Sequence, residues 1–283
     1  MNRRRTVPSH QSSSSVLCLL SLQDSILNPT DCKTLCLKAE EAGFGAVVLA
    51  PTFHRGYPGV TVKENHDNLK KSRALLADEI SPNFGIEVAG VLVVGEGSAL
   101  GWGKEIGLLS EDEADWHGNH VMIRFFTDYP TKGYVDAVRT MANYGLKPIL
   151  CLPEILGTVG SEPWRAFLDC GVDVEFAVDL NSLGGSNSVH QEEAVKVLQT
   201  GKVCLLGTRF QLSNEIEECL AGIKIAKDVL GEERVNEILS IDNVGLKTGV
   251  IKSAKVPDAI YTNSTQAPEP LKEEAEKTEE SAE

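Results

Sequence analysis

The sequence predicts an α/β domain in which a parallel sheet curls into a barrel with helices outside it. Apolar runs of strand length alternate with amphipathic stretches of helix length, the pattern of strands joined by helical crossovers. About seven such units fit into the chain. Glycines also recur just past the helical stretches, where a left-handed cap favours them. The 283 residues are 42% hydrophobic, enough for one sizeable core.

The elements follow in order. Strands are predicted at Val16 to Leu22, Gly45 to Ala50, Ile86 to Val94, His120 to Phe126, Pro148 to Leu152, Asp173 to Val178 and Val203 to Leu206, all short and continuous, as parallel strands buried on both faces are. The first helix opens at Asn28-Pro29-Thr30-Asp31, a polar cap with an early proline, and closes at Gly43. Further helices are predicted over Lys63 to Ala77, Gly133 to Tyr144, Pro163 to Cys170, His190 to Thr200, Ser213 to Leu230 and Glu232 to Leu239. Gly145, Gly171, Gly201 and Gly231 supply the punctuation.

Arg3 to Arg5 followed by Val16 to Leu22 loosely imitate a secretory signal, but Gln23-Asp24 stands where a small-residue cleavage site belongs, so a buried first strand is expected. No stretch approaches the roughly 18 to 20 apolar residues of a membrane span. The formal charge of −14 opposes binding to nucleic acid or anionic lipid. Seven cysteines scattered through apolar stretches are expected to be reduced core residues of a cytoplasmic protein. The expected organisation is a disordered Ser-rich segment at 1–15, the barrel at 16–258 and a disordered acidic tail at 259–283. From Gln266 onward that tail carries seven Glu and two Lys.

In a β/α barrel the working residues sit at the C-terminal ends of the strands. There the sequence has Ala50-Pro51-Thr52-Phe53-His54-Arg55-Gly56, then Leu152-Pro153-Glu154, then Asp179-Leu180-Asn181-Ser182, then Gly207-Thr208-Arg209-Phe210-Gln211. These segments resemble, in order and spacing, those of the polymerase-and-histidinol-phosphatase (PHP) type protein-tyrosine phosphatases of capsule and exopolysaccharide operons, the CpsB/CapC group. The resemblance runs from roughly Val16 to Asn243. It implies a distorted (β/α)7 TIM-type barrel and a setting in polysaccharide export and tyrosine-kinase control.

The departures fall on the positions where that family holds its metals. The segment Val16 to Gln23 contains no His or Asp for the family's opening Asp-x-His-x-His. Thr52 and Leu152 stand at histidine positions, Arg124 at that of a bridging Glu, and Arg209 and Gln211 at those of the final Asp and His. Arginine has no lone pair for a metal and stays cationic. At roughly 4 Å and an effective dielectric of about 20, each meeting of like charges costs several kcal/mol. No metal and no cofactor are therefore expected. Arg55, Arg124 and Arg209 are candidate anion-binding groups, against the alternative that each arginine pairs with an acid such as Glu154 or Asp179. Thr52, His54, Glu96, Leu152, Glu154, Asp179 and Gln211 complete the candidate pocket.

Several tempting residues have plainer explanations. His54 lies two places beyond its expected ligand position. Glu96 fits the third-strand Glu with Gly95 as anchor, whereas with Gly90 it is Leu92 that takes the place. Cys204 and Arg209 are spaced one residue too closely for a cysteine-phosphatase loop, so Cys204 is expected in the core. Cys32 and Cys36 share a helical face, and His117 and His120 belong to the opposite end of the barrel. The expected function is that of a catalytically inactive homologue, a binding or regulatory protein for a tyrosine kinase or a phosphotyrosine-bearing protein. The alternatives are an active phosphatase using His10, His54, His66, Glu96 and Glu154, or a metal-independent enzyme using Arg124 and Arg209.

Overall fold

Runs of aliphatic residues without charges cannot be left half in water, and here they become strands covered on both faces. The computed structural model describes residues 15–22, 29–54, 80–81, 84–94, 120–125, 132–143, 145–186, 188–209 and 215–248. Among these, eight strands are present: β1 (Val16–Leu22), β2 (Ala46–His54), β3 (Gly85–Val88), β4 (Val91–Val94), β5 (His120–Phe125), β6 (Lys147–Cys151), β7 (Glu175–Asp179) and β8 (Val203–Thr208). They form one parallel sheet in the order β1-β8-β7-β6-β5-β4-β2-β3. A further parallel pairing of β1 with β2, Val16 opposite Ala46, brings the sheet back on itself.

The curl sorts side chains by a period of two. Val16, Cys18, Val48, Ala50, Met122, Ile149 and Ala177 meet in an inner cluster, while Leu17, Leu19, Val47, Leu49, Ile123, Leu150 and Phe176 point outward into a second one. The outer cluster is closed by helices, which are α1 (Pro29–Glu41), α2 (Lys132–Asn143), α3 (Glu162–Leu168), α4 (Leu180–Gly184), α5 (Ser188–Gln199), α6 (Glu215–Leu230), α7 (Glu232–Ile238) and α8 (Ile241–Thr248). Rings order this layer: Phe125 stacks on Tyr134 at 4.1 Å and meets Phe167 edge to face at 5.5 Å. The buried Trp164 satisfies its N–H on the Leu156 carbonyl at 3.2 Å.

Helix α8 lies against β1, β5 and β8 and sets Val244 into the inner cluster. Lys247 on α8 donates to Glu175 Oε1 at 2.7 Å and lies 3.1 Å from His120 Nε2, so the first residues of β5 and β7 are tied to this helix. His120 thus belongs to the end of the sheet opposite the strand termini of interest. Six cysteines, Cys18, Cys36, Cys151, Cys170, Cys204 and Cys219, are buried free thiols.

The strand predictions hold in place, with one-residue shifts such as Lys147–Cys151 for Pro148 to Leu152 and with four larger differences. Ile86 to Val94 is two strands, broken at Ala89-Gly90, because β3 pairs with Ala46 to Leu49 and β4 with Thr52 to His54. That second pairing also carries β2 on to His54, so Thr52 lies within the strand and not in the loop after it. The seventh predicted strand likewise runs on to Thr208, and the sixth starts at Glu175 and ends at Asp179. Helices α4 and α8 are not among the predicted ones: α4 is a single turn of five residues and α8 is only eight residues long. Gly145, Gly171, Gly201 and Gly231 have φ of +77°, +80°, +71° and +86°, the left-handed caps expected. The predicted helix at Lys63 to Ala77, the terminal segment 1–14 and the tail from 249 onward lie outside the described residues. No helix among the described residues is long and apolar enough to cross a membrane.

Candidate functional site

The strand ends of β6, β7 and β8 build a buried ionic cluster. After Cys151 the chain turns through Leu152 at φ 58° and ψ 46°, a left-handed conformation that is costly for a bulky residue. Pro153 then opens a single 3-10 turn, Pro153–Ile155, which carries Glu154 inward. Glu154 Oε1 accepts the Asp179 backbone N–H at 3.2 Å, and Oε2 has no hydrogen-bond partner among the described residues. Burial, reinforced by the Asp179 charge, pushes the Glu154 carboxyl up to about 8.

Asp179 ends β7 and caps α4. It is fully buried, and its two oxygens are saturated. Oδ1 accepts the backbone N–H groups of Asn181 at 3.0 Å and Arg209 at 3.4 Å. Oδ2 accepts Arg209 Nε at 2.8 Å and the Ser182 hydroxyl at 3.2 Å. Arg209, the first residue after β8, also donates from Nη2 to Ser182 Oγ at 3.4 Å. Sequence had left two possibilities for this arginine, a bound anion or a protein acid, and here it is paired with the acid.

Above this ion pair lies an open pocket of about 340 Å³ whose described lining includes Asp179, Asn181, Ser182, His190, Arg209, Glu215 and Glu218. Asn181 fixes the wall, donating from Nδ2 to Glu215 Oε2 at 3.2 Å and accepting the Cys219 thiol at 2.8 Å. Among the described lining, three carboxylates face one guanidinium, an acidic balance. Glu215 and Glu218 were not singled out from sequence. The signal was the run of acids in the first turn of α6, a helix the sequence predicts after β8; which of those acids face the pocket follows from how α6 packs against α4.

Of the candidates, Glu154, Asp179 and Arg209 converge. Leu152 is fully buried within the inner cluster, so at its strand end it packs against apolar neighbours. Arg124 is half-buried on β5 and Thr52 half-buried on β2, and neither lines this pocket. Arg55, Glu96 and Gln211 lie outside the described residues, and only the backbone of His54 is described.

No protein-family model matches the sequence, and no curated protein matches it. Among solved structures, the fold is similar to that of the metal-dependent tyrosine phosphatases YwqE from Bacillus subtilis and CpsB from Streptococcus pneumoniae. The TM-score is 0.65 at 12% identity, over 83% of this chain and 94% of the other. A lower score, 0.46 at 9% identity over 77% and 62% of the two chains, relates it to N-isopropylammelide isopropylaminohydrolase from Burkholderia multivorans. The likeness is one of fold, an α/β barrel-like sheet.

The described strand-end residues do not fit a divalent metal. Both Asp179 oxygens are engaged by four donors, one of them a guanidinium that a metal would have to displace. Leu152 offers no donor atom, and the buried Glu154 already spends one oxygen on the Asp179 backbone N–H.

Proposed function

We propose that this chain is a catalytically inactive relative of the metal-dependent tyrosine phosphatases, a distorted (β/α)7 barrel of the PHP type that works by binding. On this reading it acts in the cytoplasm, in the control of capsule or exopolysaccharide export, and holds a tyrosine kinase or a phosphotyrosine-bearing tail without hydrolysing it. The fold likeness to YwqE and CpsB supports the ancestry. One observation carries the loss of chemistry: Arg209 sits 2.8 Å from the fully buried Asp179, so that a fixed protein cation occupies the strand ends. Arg209 is already neutralised by Asp179, so it is not free to hold a phosphoryl group by itself.

The test is metal content and turnover together. The purified chain is incubated with excess manganese, iron and zinc, desalted and analysed, then assayed on a phosphotyrosyl peptide beside an active metal-dependent phosphatase. Near-zero metal and no released phosphate are expected, with the peptide or a kinase tail retained in a direct binding measurement. One or more metals per chain, or turnover above the buffer rate, would overturn the proposal.

A further inference from the structure

At the end of the sheet opposite the ionic cluster, a second group of charges is drawn in from water, and none of its residues belongs to the pocket beside Arg209. His120, the first residue of β5, is 7% exposed. Its Nε2 lies 3.1 Å from Lys247 Nζ on α8 and 3.4 Å from Glu175 Oε2 on β7. Lys247 also donates to both oxygens of Glu175, to Oε1 at 2.7 Å. Among the described residues, β6 sets Lys147 opposite His120, β8 brings the Cys204 thiol to Glu175, and β4 contributes only aliphatic side chains.

An ammonium can only donate, so at 3.1 Å the Nε2 atom must accept and the ring proton sits on Nδ1, which is buried without a partner among the described residues. The neutral ring thus completes the grip on Lys247. A proton added at Nε2 removes the accepting lone pair and sets a second cation against the ammonium, with Lys147 adding to the repulsion. Glu175, now shared by two cations, has the ring within reach at 3.4 Å. Burial, then the Lys247 charge, hold the imidazole below its usual 6.5, as suits a site built around the neutral ring. The other ties of α8, Val244 in the inner cluster and Asn243 Nδ2 on the Cys204 carbonyl at 2.8 Å, lie a turn earlier. The last turn of the helix is the part that depends on the charges.

We infer that His120, Glu175 and Lys247 form an acid-sensitive latch: when His120 is protonated, Glu175 exchanges Lys247 for the imidazolium and the last turn of α8 lifts from the end of the barrel. The ring takes a proton more readily once the latch is open, so opening is favoured as pH falls below 6.5 and disfavoured above it.

Amide hydrogen exchange of the full chain at pH 7.5 and pH 5, corrected for the intrinsic rates, tests this in α8, with α6 as the reference helix. Protection of α8 is expected to fall about tenfold at the lower pH while that of α6 holds. In His120→Gln the fall is expected to vanish. In Lys247→Met, histidine NMR is expected to show the His120 titration moved upward, because the imidazolium then has Glu175 to itself. Unchanged protection of α8, a loss shared equally by α6, the same fall in His120→Gln, or a titration unmoved in Lys247→Met overturns the inference. If neither variant folds, the ring of the unaltered chain decides: a proton on Nδ1 at pH 7.5 supports the latch, and one on Nε2 overturns it.

Discussion

A carboxyl group shut away from water is costly to ionise unless donors or a cation hold its charge, and Glu154 has little of either. Asp179 has four donors, whereas Glu154 has one and lies beside a negative neighbour. With its carboxyl raised from 4.5 to about 8, the folded chain keeps a proton that the unfolded chain releases within that window. This group therefore contributes stability at low pH that is lost as pH rises through about 8, on the order of a few kcal/mol. The variant Glu154→Gln is expected to unfold at a higher urea concentration than the unaltered chain at pH 8.5, and to lose that slope. Urea midpoints across pH 5 to 9 check this, and a midpoint for Glu154→Gln below that of the unaltered chain at pH 8.5 would refute it.

Between elements, the pocket wall depends on how closely α4 and α6 approach. A Cβ at Gly222 would lie 2.1 Å from the Leu180 carbonyl oxygen, and one at Gly184 would lie 2.0 Å from that of Glu218. Both obstacles are backbone, so neither can turn aside. Gly222→Ala must push the two helices apart and is expected to cost about 2 kcal/mol or more, as overpacking does. The same shift moves Asn181 and Ser182 relative to Glu215 and Glu218, so the near-ultraviolet circular dichroism should change while the far-ultraviolet spectrum holds. Gly145, with open space around its missing Cβ, is governed by its positive φ and not by packing.

At the scale of the whole molecule, the two ends of the sheet respond to pH in opposite directions. At the end covered by α8, burial and then the Lys247 charge hold the His120 imidazole below its usual 6.5. Its folded form is neutral while the unfolded one charges, so its contribution is present above 6.5 and is lost as pH falls below that value. At the other end, Glu154 favours low pH. Stability between pH 7.5 and 5.5 is thus a difference of two slopes, and single variants separate them. His120→Gln is expected to remove the loss on acidification and leave the alkaline loss intact, measured as urea midpoints at pH 5.5, 7.5 and 8.5. A steeper acid loss in that variant would contradict the assignment.

Much of this architecture is legible in the residues. The strand Val16–Leu22 follows from seven residues carrying no charge and bounded by polar segments, and the glycine after each helical stretch follows from a backbone geometry that other residues resist. The candidate site was legible in part: Glu154, Asp179 and Arg209 were each placed at strand ends by position alone. What the sequence by itself determined is an α/β alternation and its strand ends, with Glu154, Asp179 and Arg209 standing at them. The tertiary structure decided which charge meets which, because ionic partners thirty residues apart are chosen by the register of β7 beside β8, Asp179 opposite Gly207. It also decided that the Glu154 carboxyl is pushed up, since burial is a property of the surroundings and not of the residue.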